Sequence, residues 1–551
     1  MLLRMLFTHS YFLKLDPKQD QWNKPYPPVM TLLAAGVLEG EEVRGVREVR
    51  GVRGVREVRE VRGGESGRGG EGVREVWIKN EDIHIENNAT PAPIHPLTHS
   101  QHHNITFFDT MFADGPEAIF PVLERERPEV LVIFDDGFNY LTKMCLTNMR
   151  EAAWAMARKA QSLGCRVVVC SSDATDQYRA YLENGVDFVL LGEGEQTLVE
   201  LIEALENGQP ADQLPGLACK VAGAVRVNPR RPVMNNLDAL PLPAWHLVDL
   251  TEYRRRWEAH WGYFSLNIAT TRGCPFKCNW CAKPIYGDTY KMRSPEHVVA
   301  EIEMLQQLTS FDHIWFCDDI FGLKRTWVLE FAELIQKKGI RLRYKIQSRA
   351  DLLVMDQYID GLKASGCEEV WMGVESGAQE ILDAMDKGIT LDQVRTATRK
   401  LKENGIKPCF FIQFGYLGET ADHIRQTIDL IMELMPHDIG ISVSYPLPGT
   451  GFYERVRSEL VDKANWKDSN DLDLMFKNTY PPEFYKKLHH FVHQKFRRRH
   501  ALDKLRSLLQ NPATINRHNL KKALSILYYG PSSVLAKRRL KAIHHDAADS
   551  L

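Results

Sequence analysis

At 551 residues the chain is too long for a single hydrophobic core, and roughly two to four domains are expected. Its apolar fraction of 44% and charged fraction of 26% are ordinary for a globular protein. The formal net charge of −2 excludes a general electrostatic attraction to nucleic acid or anionic lipid, so partners must be inferred from particular sites.

No apolar run approaches the roughly 18 to 20 residues needed to cross a bilayer. The first residues, MLLRMLFTHSYFLKLD, lack both a complete apolar stretch and a small-residue cleavage site, so no secretory signal is predicted. Ten cysteines, several in strand-like runs such as CRVVVC, are typical of a reducing compartment. We therefore expect a cytoplasmic protein with no transmembrane segment and no disulfide framework.

Residues 1–235 show strands alternating with helices, the pattern of a doubly wound parallel α/β sheet. The strand-like segments are MLFTHSYF, ITFFDTMF, EVLVIFDD, CRVVVCSSD and VDFVLLGEGE. The helical segments are PPVMTLLAAGVLEG, PEAIFPVLERERP, MREAAWAMARKAQSLG, YRAYLENG and TLVELIEALENG.

A low-complexity tract interrupts this series at about residues 41–104. A Val-Arg pair recurs every third residue from Val43 to Arg62, a period that fits neither an amphipathic helix nor an alternating strand. Gly-rich and His-rich sequence follows it. The tract is predicted to be a disordered insertion in one βαβ connection, with a basic nucleic-acid-binding arm as the disfavoured alternative because glutamates alternate with the arginines.

A proline-marked linker, residues 236–255 with DALPLPAWHLVDL, leads to a second alternating series at residues 256–460. Its strand-like segments are FSLNIATT, HIWFCDD, RYKIQSR, EVWMGVES, PCFFIQFG and IGISVSYP. Six β/α units predict a (β/α)6 partial TIM-type barrel with its chemistry at the carboxyl ends of the strands.

Residues 461–551 are predicted to be helical. In FYKKLHHFVHQKFRRR, Phe484, Leu488, Phe491 and Val492 have helix-face spacing. A solvated helix packed on the barrel is favoured there over an RNA- or membrane-binding surface.

Three cysteines, Cys274, Cys278 and Cys281, lie within eight residues of the segment TTRGCPFKCNWCAKPIYG, directly after the first barrel strand. A structural zinc site usually takes four ligands in two spaced pairs, and no second CxxC or HxxxH pair follows at a suitable distance. The C-x3-C-x2-C spacing suits three corners of a 4Fe-4S cube. One iron then lacks a protein ligand and is open to a small molecule.

The string CPFKCNWC at this place in a six-unit barrel resembles the signature of the radical S-adenosylmethionine (SAM) superfamily. The resemblance implies that SAM binds the fourth iron through its amino and carboxylate groups. It also implies reductive cleavage of SAM to a 5′-deoxyadenosyl radical, which functionalises a C–H bond of the substrate.

The same resemblance implies a SAM pocket formed at the strand ends. It includes the aromatic residue before the last cysteine and polar or glycine positions in WMGVESG, QSRAD, FGYLGET and YPLPGT. These positions are Trp280, Gly373, Glu375, Ser376, Ser348, Arg349, Gly415 and Pro446.

Asp318 and Asp319 end the second barrel strand and are candidates for binding substrate or accepting a proton, with a helix N-cap as the alternative. Cys317, Cys367 and Cys409 are predicted to be packed thiols, because their spacing is too wide for a second local cluster.

The first domain, joined to such a barrel, resembles the cobalamin-binding half of the cobalamin-dependent radical SAM enzymes, the group that includes the anaerobic magnesium-protoporphyrin ester cyclase. The resemblance covers residues 1–40 and 105–455. Candidate cobalamin-binding positions in the CSSDATD and LGEGE loops are Ser171, Ser172, Gly192, Glu193, Gly194 and Glu195. The cobalt-ligating DxHxxG motif of many such domains is missing; DIHIEN, at residues 82–87, lacks its glycine.

These patterns favour a cobalamin-binding radical SAM enzyme that performs methyl transfer, oxidation or cyclisation on a small molecule, such as a lipid or tetrapyrrole. The resemblance implies an electron donor such as flavodoxin or ferredoxin. One alternative keeps the radical chemistry but gives the first domain a role in substrate recognition without cobalamin. The other is a non-catalytic iron-sulfur or zinc protein.

Overall fold

A computed structural model describes residues 2–40, 104–135, 137, 146–283, 285–461, 463 and 465–544. Except for Asn104, the predicted insertion and its DIHIEN string lie outside the described residues.

The first sheet contains seven strands: β1 (Arg4–Thr8), β2 (Asn104–Phe107), β3 (Val130–Phe134), β4 (Arg166–Cys170), β5 (Phe188–Leu190), β6 (Leu217–Val221) and β7 (Ala224–Val227). Their order is β2-β1-β3-β4-β5-β6-β7. The first five strands pair in parallel, as the alternating pattern predicts.

Among the described residues, the helices that accompany this sheet are α1 (Pro17–Trp22), α2 (Val29–Glu39), α3 (Phe120–Glu126), α4 (Thr147–Ser162), α5 (Ser172–Asp176), α6 (Tyr178–Glu183) and α7 (Glu195–Glu206). Leu33 and Leu198, from α2 and α7, pack in the core on one face of the sheet. Leu123 and Met156, from α3 and α4, pack on the other. Strands β3 and β4 are buried, apart from Arg166 at the start of β4, because helices cover both faces of the sheet, which explains the continuous apolar runs VLVIF and VVVC.

The antiparallel hairpin formed by β6 and β7 was absent from the sequence prediction. Its two-residue turn is Ala222-Gly223, both with positive φ, the backbone shape of the tight turns that match strand twist. Exposed charged residues at Lys220 and Arg226 make the two short strands hard to recognise from periodicity.

The second sheet is an all-parallel half-barrel with the order β15-β14-β13-β12-β11-β8. Its strands are β8 (Ser265–Ile268), β11 (His313–Phe316), β12 (Tyr344–Ser348), β13 (Cys367–Glu375), β14 (Lys407–Phe414) and β15 (Asp438–Val443). A separate two-stranded antiparallel ribbon pairs β9 (Thr271–Arg272) with β10 (Lys291–Met292). The predicted partial barrel is confirmed, with β8 and β15 as its edges.

In the part of this region that the structure describes, the helices are α8 (Thr251–Trp261), α9 (Pro295–Leu308), α10 (Arg325–Lys337), α11 (Ala350–Leu353), α12 (Tyr358–Ala364), α13 (Gln379–Ala384), α14 (Leu391–Glu403), α15 (Ala421–Leu434) and α16 (Gly451–Val456).

The segment predicted as a linker, residues 236–255, is packed between the two sheets. Trp245 is 1% exposed, and its indole Nε1 donates to Glu301 Oε1 at 2.9 Å. One hydrophobic cluster runs from Val29 of α2 through Trp245 into the barrel. The proline-rich composition thus marks an irregular backbone and does not imply a solvated connection.

The C-terminal region is helical, as predicted, with α17 (Pro482–Gln510), α18 (Arg517–Leu524) and α19 (Ile526–Lys541). Phe484, Leu488, Phe491 and Val492 are buried on one face of α17, which packs on α15 and β15. Among the described residues, no helix has the length and apolarity required to span a bilayer.

Candidate functional site

The β9–β10 ribbon holds the ends of the three-cysteine loop together at the carboxyl end of β8. Gly273 has φ +80°, and a Cβ there would lie 2.2 Å from the carbonyl oxygen of Thr289. Glycine is therefore required directly before Cys274, because any side chain would push the ribbon apart.

Asp318 fixes the backbone that enters this loop. The fully buried carboxylate accepts hydrogen bonds from Thr270 N at 2.7 Å, Thr271 N at 2.8 Å and Thr270 Oγ1 at 2.5 Å. Burial raises the pKa of Asp318 to about 6, with these hydrogen bonds opposing the shift. Both oxygens are occupied in holding the backbone, whereas the neighbouring Asp319 lies beside the cysteines.

Cys274, Cys278 and Cys281 are partly exposed free thiols. Burial raises the pKa of Cys281 to about 12, and the Asp319 carboxylate and the other two cysteines add to that shift. Burial also raises the pKa of Cys274. Binding of a metal by Cys274 and Cys281 would therefore release their protons.

Within the described part of the chain, no three His, Cys, Asp or Glu side chains converge as ligands for one metal ion. A 4Fe-4S cube does not require such convergence, since each thiolate binds a different iron.

Arg349 anchors the cysteine loop to the end of β12. Its guanidinium lies 3.6 Å from the ring centroid of Phe276, and its Nη1 donates to Cys278 Sγ at 3.9 Å. The same group donates to Asp351 Oδ1 at 3.0 Å and to the carbonyl oxygen of Lys387 at 2.8 Å. Arg349 therefore ties the cysteine loop to the carboxyl end of β12.

A buried ion pair closes the end of β13. Lys387 Nζ donates to Glu375 Oε1 at 2.7 Å, and both side chains are 7% exposed. Burial opposes the charge on Lys387, but Glu375 and Cys278 outweigh it and raise the lysine pKa. A Cβ at Gly373 would lie 2.6 Å from Lys387 Nζ, so this glycine provides the space for the pair.

The other sequence-predicted positions surround this pair or support it. The buried indole Nε1 of Trp280 has no hydrogen-bond partner in the described structure, and its ring centroid lies 5.9 Å from Lys387 Nζ. Ser376 Oγ lies 3.2 Å from Thr427 Oγ1 and accepts from Ala378 N, so it stabilises the turn after β13. Ser348 is buried where β12 ends.

Two predicted positions follow the last two barrel strands. Gly415 has φ +76°, and its N donates to Glu419 Oε2 at 2.6 Å. Pro446 is buried after β15. Glu419 is fully buried, and burial raises its pKa to about 8 despite that hydrogen bond.

The strand that enters the cysteine loop is joined to the first sheet by a buried arginine. Arg272 is 2% exposed and forms ion pairs with Glu193 and, at 2.6 Å, with Glu195 Oε1. Its guanidinium also lies 5.4 Å from the ring centroid of Tyr286. Glu193 and Glu195, predicted as ligand-binding positions, are therefore partners of the barrel.

A small cleft of about 260 Å³ remains at the carboxyl edge of the first sheet, next to this ion-pair cluster. Ile285 and Tyr286 of the cysteine loop line it, with Ser171, Ser172 and the glycines Gly192 and Gly194. Ser171 Oγ caps α5 by accepting from Ala174 N at 2.8 Å. Ser172 Oγ and Glu195 Oε2 are buried polar atoms without hydrogen-bond partners in the described structure.

Lys387 and Arg272 are the important site residues that the sequence analysis missed. A lone lysine in DKG and a lone arginine in TTRG look like ordinary surface residues. The useful signal for Arg272 was its position immediately before the conformationally restricted Gly273.

Residues 268–431 match the family model described as the radical SAM superfamily. An uncharacterised methyltransferase of Pyrococcus horikoshii is 29% identical over 294 residues, which cover 53% of this chain and 63% of that protein. The anaerobic magnesium-protoporphyrin IX monomethyl ester cyclase of Rubrivivax gelatinosus is 27% identical over 51% of this chain and 50% of the cyclase. The hopanoid C-3 methylase of Methylococcus capsulatus is 28% identical over 60% of this chain and 61% of the methylase.

The chain thus spans 50–63% of the length of these relatives. Among solved structures, the cobalamin-dependent SAM radical enzyme OxsB with aqua-cobalamin and SAM bound superposes with a TM-score of 0.60 and 16% identity, over 80% of this chain and 68% of OxsB. The radical SAM methyltransferase TsrM from Kitasatospora setae superposes with a TM-score of 0.55 and 21% identity. The match covers 65% of this chain and 69% of TsrM. At these identities the likeness shows a shared fold.

Arg272→Met should lower the free energy of unfolding by about 3–5 kcal/mol, because it leaves two buried carboxylates without their cation. The matched control is Arg395→Met, whose ion pair with Glu433 is exposed and should cost about 0–1 kcal/mol. Urea unfolding followed by tryptophan fluorescence measures both. Equal losses would contradict a structural role for the buried pairs.

Glu419→Gln should change how stability depends on pH. The carboxyl pKa rises from 4.5 to about 8 on folding, so the folded chain keeps a proton that the unfolded chain loses. The free energy of unfolding of the wild type should therefore fall across the range from about pH 4.5 to 8, by up to about 4 kcal/mol relative to the glutamine variant. Urea unfolding midpoints of the wild type and of Glu419→Gln at both ends of this pH range test the prediction. Glu483→Gln, at an exposed glutamate, is the control. Parallel pH profiles of the wild type and Glu419→Gln would refute the buried, protonated Glu419.

Proposed function

We propose that this chain, a member of the radical SAM superfamily through residues 268–431, is a radical enzyme whose Cys274, Cys278 and Cys281 hold a 4Fe-4S cluster. The observation that carries the proposal is the position of the three free thiols, on one loop at the carboxyl end of a parallel half-barrel. The cytoplasm, a reducing compartment in which thiols persist, is the proposed location.

The residues around the thiols fit such a cluster. Three cysteine ligands would leave one iron open, and the cations Arg349 and Lys387 lie beside Cys278, where they complement the negative charge of thiolate ligands bound to a cluster. The cluster and SAM, when bound, supply a one-electron cleavage that yields methionine and a 5′-deoxyadenosyl radical.

Glu375 is the residue we assign to the SAM amino group. Its buried carboxylate already accepts from the Lys387 ammonium, so the site is built to hold a positive charge. Gly373 leaves space beside it, and the unpartnered Trp280 indole N–H is available to a ligand acceptor. The loops at Ser348, Gly415 and Pro446 are proposed to contact the rest of SAM.

Arg349 and Ser376 receive a different role from the one that the resemblance implies. Arg349 donates to Asp351 and Lys387 and stacks on Phe276, so we assign it to holding the cysteine loop. Ser376 is assigned to the turn after β13, because its hydroxyl is used by Ala378 and Thr427.

Cobalamin is the proposed ligand of the first domain. The fold likeness to OxsB supports it, and so do the unpartnered Ser172 Oγ and Glu195 Oε2 in the cleft, which fit a ligand rich in amide groups. Ile285 and Tyr286 of the cysteine loop line this small cleft. A corrin-sized ligand would enter only when Ile285 and Tyr286 move aside.

A second candidate gives the first domain a role in substrate recognition without cobalamin. The ion pairs from Arg272 to Glu193 and Glu195 favour it, because they occupy side chains that a cofactor would otherwise contact.

The substrate is proposed to be a small molecule of tetrapyrrole or lipid class, since the relatives include a magnesium-protoporphyrin ester cyclase and a hopanoid methylase. Methyl transfer, oxidation and cyclisation all fit these relatives. The electron is proposed to come from a flavodoxin- or ferredoxin-type donor. Asp319, beside the cysteines, is the proposed substrate-contacting carboxylate; Asp318 is assigned to the backbone that it binds.

Cys278→Ala should abolish both cluster formation and SAM cleavage. After anaerobic reconstitution the wild type should carry about four irons per chain and release 5′-deoxyadenosine and methionine under reducing conditions. Cys219→Ala, which removes a buried thiol from β6, should behave as the wild type. Bound zinc without SAM cleavage by the wild type would refute the enzyme and favour a non-catalytic metal protein.

Ser172→Leu should abolish retention of cobalamin by filling the cleft, while Ser172→Ala should weaken it only by one hydrogen bond, about fivefold to tenfold. Absorbance spectra after gel filtration with hydroxocobalamin measure the retained fraction. Iron content should stay unchanged in both variants, because the cluster is held by the barrel. A wild type that retains no cobalamin would favour the second candidate.

A further inference from the structure

Exposed apolar side chains are concentrated in the C-terminal helices. Of fifteen large apolar residues exposed in the described chain, eight lie within 27 residues of sequence. They are Leu509, Ile515, Leu520, Leu524, Leu527, Tyr528, Val534 and Leu535, and we call them the apolar tip. Leu509 and Leu527 are each 74% exposed, so such a cluster on a monomer indicates an interaction surface.

Helix α19 has two distinct apolar faces. Ser533, Ala536 and Leu540 are buried on the face that packs against α17. The exposed pairs Leu527/Val534 and Tyr528/Leu535 are each seven residues apart, which places both pairs along another side of the helix. These exposed residues of α19 therefore lie on the sides of the helix that do not face α17.

The same region is strongly basic. From Lys495 to Lys541 there are thirteen Lys and Arg residues against one acid, Asp503, which gives a formal charge of +12 in a chain whose total is −2. Exposed members next to the apolar tip include Arg506, Arg517, Lys521 and Lys522. The weak net charge of the whole chain conceals this local charge.

Helix α17 runs from the barrel mouth towards the opposite end of the barrel, and α19 packs back along it, with Ser533 Oγ 3.3 Å from Arg498 Nη1. The start of α17 packs near Gly415, at the carboxyl ends of the strands, through Tyr485. Further along α17, His500 Nε2 lies 3.0 Å from the carbonyl oxygen of Pro436, which precedes β15. Helix α17 then continues for ten more residues to Gln510.

We propose that the apolar tip and its basic surroundings dock on an anionic lipid bilayer. Apolar side chains flanked by lysine and arginine suit the boundary between headgroups and acyl chains. A nucleic acid would use the positive charge but leave the leucines in water. A purely apolar protein partner would leave the charge unused. This docking is independent of the reaction in the barrel.

Flotation of the full chain with lipid vesicles tests the proposal. The wild type should float with an equal mixture of phosphatidylcholine and phosphatidylglycerol, far less with phosphatidylcholine alone, and less at high salt. Lys521→Gln/Lys522→Gln should lower the partition coefficient more than tenfold, since each basic residue near the surface contributes about fivefold. Leu524→Ser/Leu527→Ser should lower it by about tenfold or more.

Matched controls separate docking from misfolding. Leu308→Ser changes a leucine that is 47% exposed on α9, and Lys337→Gln changes an exposed lysine on α10; both should float as the wild type. Circular dichroism of every variant should match the wild type. Absence of flotation, or equal flotation of tip and control variants, would overturn the proposal. If the wild type did not bind lipid but formed a dimer that the leucine variants could not form, the proposal would be overturned. The apolar tip would then be a contact between two copies of this chain.

Discussion

The buried ion pairs of Arg272 with Glu193 and Glu195 connect the two halves of this structure. Arg272 lies one residue before Gly273 and two before Cys274, so the strand that starts the cysteine loop is fixed to the first sheet. A buried arginine requires such partners, because an unpaired charge in the interior costs several kcal/mol. The position of the loop therefore depends on the first domain as well as on the barrel.

This constraint brings two carboxyl edges together. Glu193 follows β5 of the first sheet, and Arg272 follows β8 of the half-barrel, so the loops after the parallel strands of both sheets meet. Parallel α/β sheets bind ligands at this edge. In the proposed function, Ile285 and Tyr286 of the cysteine loop would line the cofactor cleft of the first sheet.

The sequence allowed a good prediction of the elements that depend on local pattern. A window of a few residues is enough to recognise the apolar strands such as VLVIF, the alternation of the six β/α units and the spacing of the cysteines. The β6–β7 hairpin was missed because its strands are short and bear exposed charges. The roles of Lys387 and Arg272 were missed because they arise from contacts across 12 and more than 70 residues of sequence. Burial of a charge is decided by tertiary packing, which single-sequence periodicity does not encode.

Electron paramagnetic resonance of the reduced, reconstituted chain, with and without SAM, tests the open coordination position most directly. Three thiolate ligands leave one iron free, so SAM should bind it and change the g values of the reduced 4Fe-4S signal. Nitrogen-15 in the SAM amino group should add a hyperfine coupling to that signal. A spectrum that is identical with and without SAM, and that lacks the coupling, would contradict a substrate-binding iron at Cys274, Cys278 and Cys281.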